Sequence, residues 1–473
     1  MADIALTPTA PASRPTAGAL ISLSLAMLLS SLSTSIANVA LPTLSVAFAA
    51  SFPAVQWVVL AYLLAITALI VSVGRLGDLV GRRPLLVAGL ALFSAASLAA
   101  ALAPSLALLI VARAAQGLGA AVMMALTIAF VGETVPKERT GSAMGLLGTM
   151  SAIGTALGPS LGGLLIGAFG WRSIFLVNAG LGVAAMLAAW RFLPTGPAVG
   201  TRARFDIVGT LLLAATLAAF ALAMTIGRGH FGGLNMVLLA LAALGAALFA
   251  LVEAKVASPL VKLALFRNTV FGTSLAMNVL VSTVMMATLV VGPFFLSRAL
   301  GLSDAMAGAV LSIGPVVSAL CGVVAGRFVD RLGASAMVLA GLALMAAGCA
   351  ALAVLPEMFG VAGYAAAIVL LTPGYQLFQA ANNTAVMADV DQGERGVVSG
   401  MLSLSRNLGL VTGTAVMGAL FAFAAGTKEM AGAAPEAVAA GMSFTFTVAA
   451  GLAVMALAVA FVGRNRSFAI LQP

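Results

Sequence analysis

The stretch GRLGDLVGRRP, residues 74–84, has a counterpart in GRFVDRLGAS, residues 326–335. Aligning the two makes four positions coincide, which are Gly74, Arg75, Asp78 and Gly81 in the first copy and Gly326, Arg327, Asp330 and Gly333 in the second. Long apolar runs flank both copies. The repeat therefore predicts a chain built from two related halves, each carrying a short charged turn between apolar segments.

The composition indicates that those apolar runs are membrane spans. Of the 473 residues, 62% are hydrophobic and 8% are charged, whereas soluble proteins carry about a quarter charged residues. At about 20 apolar residues per crossing, the sequence predicts an all-α polytopic membrane protein with fourteen spans. We place them at 17–40, 54–73, 84–103, 106–131, 142–165, 171–191, 207–226, 234–253, 269–297, 306–325, 335–354, 360–386, 397–424 and 442–463.

Basic residues indicate the orientation of these spans. With a cytoplasmic N-terminus, seventeen of the 23 lysines and arginines fall in inner segments and four in outer ones. Basic loops resist translocation, so both termini are expected in the cytoplasm of a bacterial cell. The same loops account for the net charge of +9 without nucleic acid as a partner.

The sequence gives no support for an enzyme or an ATP-driven pump. Cys321 and Cys349 lie inside apolar runs, which supports neither a disulfide nor a metal site, and we expect no cofactor. The sequence contains no GxxxxGK[ST] motif, and no HExxH or GxSxG motif lies in any loop. The loops are also too short for a catalytic domain. An enzyme or an ATP-driven pump is therefore not expected.

Several motifs resemble those of the major facilitator superfamily. GRLGDLVGRRP is similar to its signature loop, LIVARAAQGLGAA (109–121) to its fourth-helix motif, and GTALGPSLGG (154–163) to the fifth-helix motif of exporters. IANVALP (36–42), WVVLAYLL (57–64) and WRSIFLVN (171–178) resemble the fourteen-helix drug/proton antiporter branch.

That resemblance implies two six-helix halves, 17–191 and 269–463, joined by a linker, 192–268, with two inserted spans, and flanked by cytoplasmic tails 1–16 and 464–473. It also implies a monomer in the lipid bilayer that exports small amphipathic compounds by proton antiport. A dedicated metabolite exporter or importer remains an alternative, and a membrane sensor is a more remote one.

The repeated turns are candidates for a conformational latch. An aspartate there can accept hydrogen bonds from a neighbouring helix terminus, while glycines let helix ends approach. The alternative is a basic turn that only sets orientation. The latch candidates are Gly74, Arg75, Asp78, Gly81, Arg82, Arg327 and Asp330.

Arg113 is predicted near the middle of a span, where an unpartnered charge costs about 2.5 to 3.5 kcal/mol. Gln116 lies one turn further along the same face. We expect a buried polar or gating role, with structural bonding to backbone carbonyls as the alternative. In the resembling family this arginine is linked to proton movement. Glu133 is the remaining candidate for a protonated carboxyl, although an ordinary interfacial glutamate is the simpler interpretation.

A second helix motif consists of small residues. Gly154, Gly158 and Gly162 recur every four residues, which favours close contact with a partner helix. Pro159 removes a helical hydrogen bond in the same region. Packing alone is the alternative to a role in export.

Polar stripes predict an uncharged cavity between the halves. The span 360–386 carries one such stripe, the span 269–297 a shorter one and the first span a third. Hydrogen bonding to neighbouring helices is the alternative. The predicted cavity residues are Ser31, Thr34, Ser35, Asn38, Tyr62, Asn278, Tyr375, Gln376, Gln379 and Asn383.

One residue departs from the family pattern. Where the first-helix motif usually carries an aspartate, this sequence has Ser33, and no acid is predicted at mid-span. Ser33 is expected on the opposite face from the stripe in its helix. With Arg113 and Arg406 as the only deep charges, neutral or anionic amphiphiles suit the cavity better than dicationic drugs.

Overall fold

The computed structural model describes residues 14–134, 140–194, 206–226, 232–256, 269–387, 395–426 and 432–470. Within these ranges the chain is helical and forms no strand. The helices are α1 (Arg14–Val39), α2 (Leu41–Ala47), α3 (Phe52–Val80), α4 (Arg82–Ala101), α5 (Leu106–Thr134), α6 (Thr140–Phe169), α7 (Arg172–Phe192), α8 (Ile207–Thr225), α9 (Gly233–Glu253), α10 (Thr269–Phe294), α11 (Asp304–Leu311), α12 (Ile313–Leu332), α13 (Ala334–Met387), α14 (Arg395–Thr412), α15 (Gly418–Ala424) and α16 (Pro435–Ile470).

Among the described residues, twelve helices are long and apolar enough to cross a membrane. The predicted spans 335–354 and 360–386 fall on the two parts of α13, which meet at a kink. Gly360 breaks that helix with φ 55° and ψ −129°, a conformation that glycine adopts readily. Helix α16 continues to Ile470, so residues 464–470 of the predicted tail are helical.

The helices pack in two groups. In the first helix group, α1–α7, α1 packs on α6, and α5 packs on α3 and α4. In the second helix group, α10–α16, α10 packs on α14 and α16, and α13 packs on α12 and α16. The remaining helices, α8 and α9, pack on each other and form a central pair.

The central pair is attached to α3 by hydrogen bonds at both ends. Trp57 Nε1 donates to Thr225 Oγ1 at 3.1 Å, and the hydroxyls of Ser72 and Thr210 lie 2.6 Å apart. Much of the remaining apolar surface of α9 is exposed, which suits contact with lipid. The pair therefore lies beside the first helix group.

The two sequence repeats adopt the same turn. Gly81 ends α3 with φ 95°, and Gly333 ends α12 with φ 84°. Each glycine N–H donates to the carbonyl four residues earlier at 2.9 Å, and each carbonyl accepts from the N–H four residues later at 3.3 Å. A positive φ of this kind favours glycine, which explains why this residue recurs at the same offset in both copies.

The two groups meet at one end of the bundle, formed by α2 and the first turns of α3 and α11, which we call the closed end. There Phe52 of α3 packs edge-on against Phe294 and Phe421 of the second group, with ring centroids 4.8 and 5.4 Å away. Gln56 Nε2 donates to the carbonyl oxygen of Thr414 at 2.9 Å. These contacts close the end of the bundle that the charge pattern predicts to lie outside the cell.

Candidate functional site

A cavity lies between the two helix groups, with about 1240 Å³ of space free of protein atoms, part of it open to solvent. The first helix group contributes a wall rich in hydroxyls, made of Ser30, Ser31, Thr34, Ser35, Leu63, Ile66, Met124, Ser151 and Thr155. The second contributes a mainly apolar wall, made of Met285, Met286, Thr288, Leu289, Leu311, Gly314, Pro315, Ser318, Tyr364, Ile368, Leu371, Thr372, Tyr375, Arg406, Asn407 and Leu410. Apolar walls with a few polar groups are typical of small-molecule sites.

Most hydroxyls of the first wall already donate their protons within the protein. Ser30 Oγ donates to Ala26 O at 3.0 Å, and Thr34 Oγ1 donates to Ser30 O at the same distance. Thr155 Oγ1 donates to the backbone carbonyl of Ser151 at 3.0 Å. Since each hydroxyl has one proton and two lone pairs, these side chains are left mainly as acceptors toward the cavity.

Arg406 supplies a charged donor to the second wall, and Asn407 lies beside it in the chain. The guanidinium of Arg406 is exposed and is the single charged group among the described residues that line the cavity. Asn407 is only 6% exposed, and no described residue accepts a hydrogen bond from its Nδ2. The two walls therefore differ in chemistry, with uncharged hydroxyls on one side and a charged donor within a mainly apolar surface on the other.

Arg113 lies away from this cavity, fully buried within the first helix group. Its Nε donates to Val58 O at 2.8 Å, and its Nη1 donates to Ser33 Oγ at 3.0 Å and to Gln116 Oε1 at 2.5 Å. The ring of Tyr62 lies 4.1 Å from the guanidinium carbon. The charge is thus held by neutral acceptors and an aromatic face, a combination that lowers the cost of burying it.

Gln116 and Tyr62 extend this cluster to neighbouring helices. Gln116 Nε2 donates to Ser97 Oγ of α4 at 2.7 Å, while Tyr62 Oη donates to Ser30 O of α1 at 3.0 Å. Four helices, α1, α3, α4 and α5, are therefore connected through Arg113. Tyr62 was predicted in the cavity wall, but its ring covers Arg113 instead.

The predicted cavity residues fall into two sets. Ser31, Thr34, Ser35 and Tyr375 line the cavity. Asn38, Tyr62, Asn278, Gln376, Gln379 and Asn383 do not.

Side chains in the second set are mostly engaged with nearby helices. Asn278 Nδ2 donates to Leu402 O and Ser405 Oγ at 3.0 and 2.8 Å, and Gln376 Nε2 donates to Ser318 O at 2.9 Å. Asn38 Nδ2 donates to Thr34 O at 2.9 Å within α1. For Asn278 and Gln376 the structure therefore agrees with the alternative interpretation of the polar stripes, which is hydrogen bonding to neighbouring helices.

Gln379 and Asn383 complete the set. Gln379 Nε2 donates to the hydroxyl of Tyr375 at 3.0 Å, so Gln379 contacts a residue that lines the cavity without lining the cavity itself. Asn383 is exposed.

Helix α6 uses two faces for close packing. A Cβ at Gly154 or Gly158 would overlap Leu28 O or Ser35 Oγ of α1, and one at Gly162 would lie 2.8 Å from Ile36 Cγ1. On another face, a Cβ at Gly308 of α11 would overlap the carbonyl oxygen of Pro159. The glycine repeat thus packs α6 within its own group, whereas Pro159 lies at the junction between the groups.

Some predicted residues are only partly described. Gly74, Arg75, Asp78 and Glu133 lie outside the residues whose side-chain surroundings are described. Arg82 is half-buried, and Arg327 and Asp330 are exposed. Arg83, which was not predicted as part of the latch, donates to Trp190 O across α4 and α7.

Several site residues were missed by sequence reasoning. Ser151 and Thr155 line the cavity from α6, and their four-residue spacing in a glycine-rich helix was the available signal. Gln56 at the closed end gave no such signal, because its acceptor lies 358 positions away in the chain.

Comparison with known proteins places this fold in a family. Residues 23–414 match the Major Facilitator Superfamily, and the chain belongs to that family. It is a multi-pass membrane transporter of the bacterial cell-membrane type, like its bacterial relatives.

Named relatives cover most of the chain. It is 32% identical over 403 residues to riboflavin transporter RibZ of Clostridioides difficile, covering 85% of this chain and 88% of that protein. It is 33% identical over 390 residues to multidrug resistance protein Stp of Mycobacterium tuberculosis, covering 82% and 72%. An uncharacterized transporter of Escherichia coli, YebQ, is 31% identical over 404 residues, covering 85% and 88%.

Solved structures share the fold. A bacterial homologue of the human lysosomal transporter Spinster, in an inward-facing and unoccupied conformation, superposes with a TM-score of 0.69 at 16% identity, covering 96% of this chain and 98% of that one. Nucleoside transporter NupG superposes with a TM-score of 0.63 at 14% identity, covering 96% and 99%. At these identities the likeness concerns the fold alone.

Proposed function

We propose that this transporter exports small amphipathic compounds from the cytoplasm by alternating access. The observation that carries the proposal is the cavity between the two helix groups, closed at the predicted outer end and walled by hydroxyls on one side and by apolar side chains on the other. A compound with both polar and apolar faces fits such walls. Rocking of the groups about the cavity would then open the closed end.

The proposed topology has fourteen crossings, six in each group and two in the central pair, with both termini in the cytoplasm and a monomeric chain. Two features support fourteen: α13 is broken at Gly360, and the 30-residue helix α6 is about 45 Å long at 1.5 Å per residue. A tag at either terminus should react only from the cytoplasmic side. Reaction from outside would contradict the orientation, and a dimeric mass in detergent would contradict the monomer.

The proposed cytoplasmic latch consists of the two repeated turns. It is supported by the shared geometry of Gly81 and Gly333. Asp78→Asn should slow turnover while leaving substrate binding nearly unchanged. Loss of binding with normal turnover of the bound fraction would exclude the latch role.

We propose that transport is coupled to proton entry, with Arg113 and Gln116 as the polar centre of the first helix group and Glu133 as the carboxyl that exchanges protons. Support comes from the complete burial of Arg113 in a network that joins four helices. A change in the protonation of a nearby group could be transmitted through such a network.

Inverted vesicles test both parts of the proposal. Vesicles containing the protein, from a host without its own exporters, should accumulate a fluorescent amphipathic compound against its gradient. The accumulation should collapse with a proton ionophore and be absent from vesicles without the protein. Accumulation that persists without any ion gradient would exclude antiport, and no accumulation of any compound would exclude export.

A second candidate is a dedicated metabolite transporter without first-helix proton coupling. It is favoured by Ser33 in place of the family's acid, and one relative is named as a riboflavin transporter. A screen of toxic compounds and of cell metabolites in the same vesicles separates the two. Transport confined to one metabolite would favour this candidate.

A further inference from the structure

We propose that the cavity selects organic anions, and that Arg406 and Asn407 bind the anionic group. The inference rests on the proposed function in one respect, which is that the cavity is the transport site. It goes further by assigning the substrate's charge and the two residues that recognise it. Neither residue belonged to the predicted cavity set.

Arg406 provides a charged group in the cavity wall. Its guanidinium faces the cavity, and no described residue forms a hydrogen bond or ion pair with it. An arginine within a membrane span usually faces water or a partner, since its charge is costly in hydrocarbon. An incoming carboxylate would supply the missing partner, and the planar fork of arginine suits its two oxygens.

Asn407 provides a polar side chain next to Arg406. It is 94% buried, being 6% exposed, lines the same cavity and carries Nδ2 without a hydrogen-bond partner. A buried donor without a partner is unfavourable, so an acceptor at this position would remove the penalty. Because Nδ2 is enclosed by protein in this structure, its donation to an anionic oxygen held by Arg406 requires the amide to turn into the cavity.

The remaining walls describe the rest of the ligand. Thr34 and Thr155 donate their protons to backbone carbonyls and present lone pairs, which accept from hydroxyl or amine groups. Met285, Tyr364 and Tyr375 offer a soft, partly aromatic surface. The ligand class is therefore a carboxylate with an aromatic or aliphatic body and at least one hydroxyl or amine group.

Organic cations are disfavoured by the same geometry. Among the described lining residues there is no carboxylate to pair with a cation, and Arg406 would repel it. The buried charge of Arg113 contributes little to this choice, because Ser33, Gln116 and Tyr62 enclose it within the first helix group.

Three matched probes test the charge preference. A hydroxynaphthoate, the corresponding hydroxynaphthyl methanol and the hydroxynaphthyl methylamine share a body and a hydroxyl but are anionic, neutral and cationic. Calorimetric titration of the full chain in detergent at neutral pH should show the anion binding about 10- to 100-fold more tightly than the neutral probe, as expected for hydrogen bonds to a charged group.

Substitutions test whether Arg406 causes the preference for the anionic probe. Arg406→Gln should remove the difference in affinity between the anion and the neutral probe, and Arg406→Lys should keep part of that difference. Asn407→Ala should weaken binding of the anion several-fold. Arg191→Gln, which removes an equal charge from the end of α7, should change nothing. Equal binding of the probes by the unaltered protein, binding of none of them, or an anion preference that survives Arg406→Gln would overturn the proposal.

Binding in detergent is independent of transport. If the vesicles move no compound but the preference depends on Arg406, the proposed export fails and the anion site stands. If the vesicles export compounds of every charge and binding shows no preference, the export stands and the anion site fails.

Discussion

Arg113 Nη1 donates to Ser33 Oγ at 3.0 Å, so the serine that occupies the place of the family's usual acid contacts the buried arginine directly. Ser33 is fully buried and faces away from the cavity, as the helical spacing predicted. Among the described residues, no carboxylate forms an ion pair with Arg113. Its guanidinium donates instead to neutral acceptors.

Removing that hydroxyl should destabilise the protein. Ser33→Ala leaves an N–H of Arg113 without one of its acceptors, which costs about 1 to 3 kcal/mol. Thermal unfolding in detergent should therefore begin at a lower temperature. Ser24→Ala is the matched control, since Ser24 Oγ is buried without any partner; equal shifts for both variants would contradict the role of the bond.

Close contact between α1 and α6 should make Gly154 intolerant of a side chain. Gly154→Ala places a Cβ against the backbone oxygen of Leu28, which cannot move without shifting α1. We expect about 1 to 3 kcal/mol of destabilisation, measured by thermal unfolding. Gly180→Ala in α7, where a Cβ meets nothing within 4 Å, should be neutral or stabilising. A neutral Gly154→Ala would show that the helices are not so tightly packed.

The closed end should open when Gln56 is displaced. A Cβ at Gly418 would overlap the Gln56 amide, and displacing that amide breaks its bond to Thr414. In cells, Gly418→Ala should increase labelling of a cysteine at the cavity position Thr34 by an impermeant maleimide added outside. Gly400→Ala, in open space on α14, should not; chains without the new cysteine give the background.

Tyr375 and Gln376 are neighbours with different contacts, and their substitutions should differ in effect. Tyr375→Ala removes an aromatic ring from the cavity wall and should weaken the binding of an aromatic ligand about 2- to 10-fold. Gln376→Ala breaks a bond to Ser318 and should lower the unfolding temperature without changing the order in which ligands are preferred. A reversed result in titration and unfolding would place Gln376 rather than Tyr375 at the ligand.

Much of the helical architecture follows from the sequence, because about 20 apolar residues without charge have few other stable conformations in lipid. The predicted segments 171–191 and 234–253 differ by one residue from the helices Arg172–Phe192 and Gly233–Glu253. The short helix Leu41–Ala47 and the π-helical turns Phe295–Ala299 and Gly413–Met417 were not predicted. Leu41–Ala47 and Gly413–Met417 contact helices of the other group, while Phe295–Ala299 contacts α10, α11 and α16 of its own. Local periodicity does not show such tertiary contacts.

The cavity was harder to predict, for a physical reason. Helical spacing shows which residues share a face but not what lies opposite that face. Thr34 and Tyr375 face the cavity, whereas Asn278 and Gln376, chosen by the same spacing, face neighbouring helices. The sequence predicts the depth of Arg406 in its span less well than that of Arg113, because this depth depends on where the helix begins.

Arg406 also has an electrical consequence. Its guanidinium places one positive charge in the cavity. The membrane potential acts on any charge that crosses it, at about 2.3 kcal/mol for each elementary charge per 100 mV. An anion seated against Arg406 would cross as part of a neutral pair, and the voltage would act instead on the empty carrier as it returns.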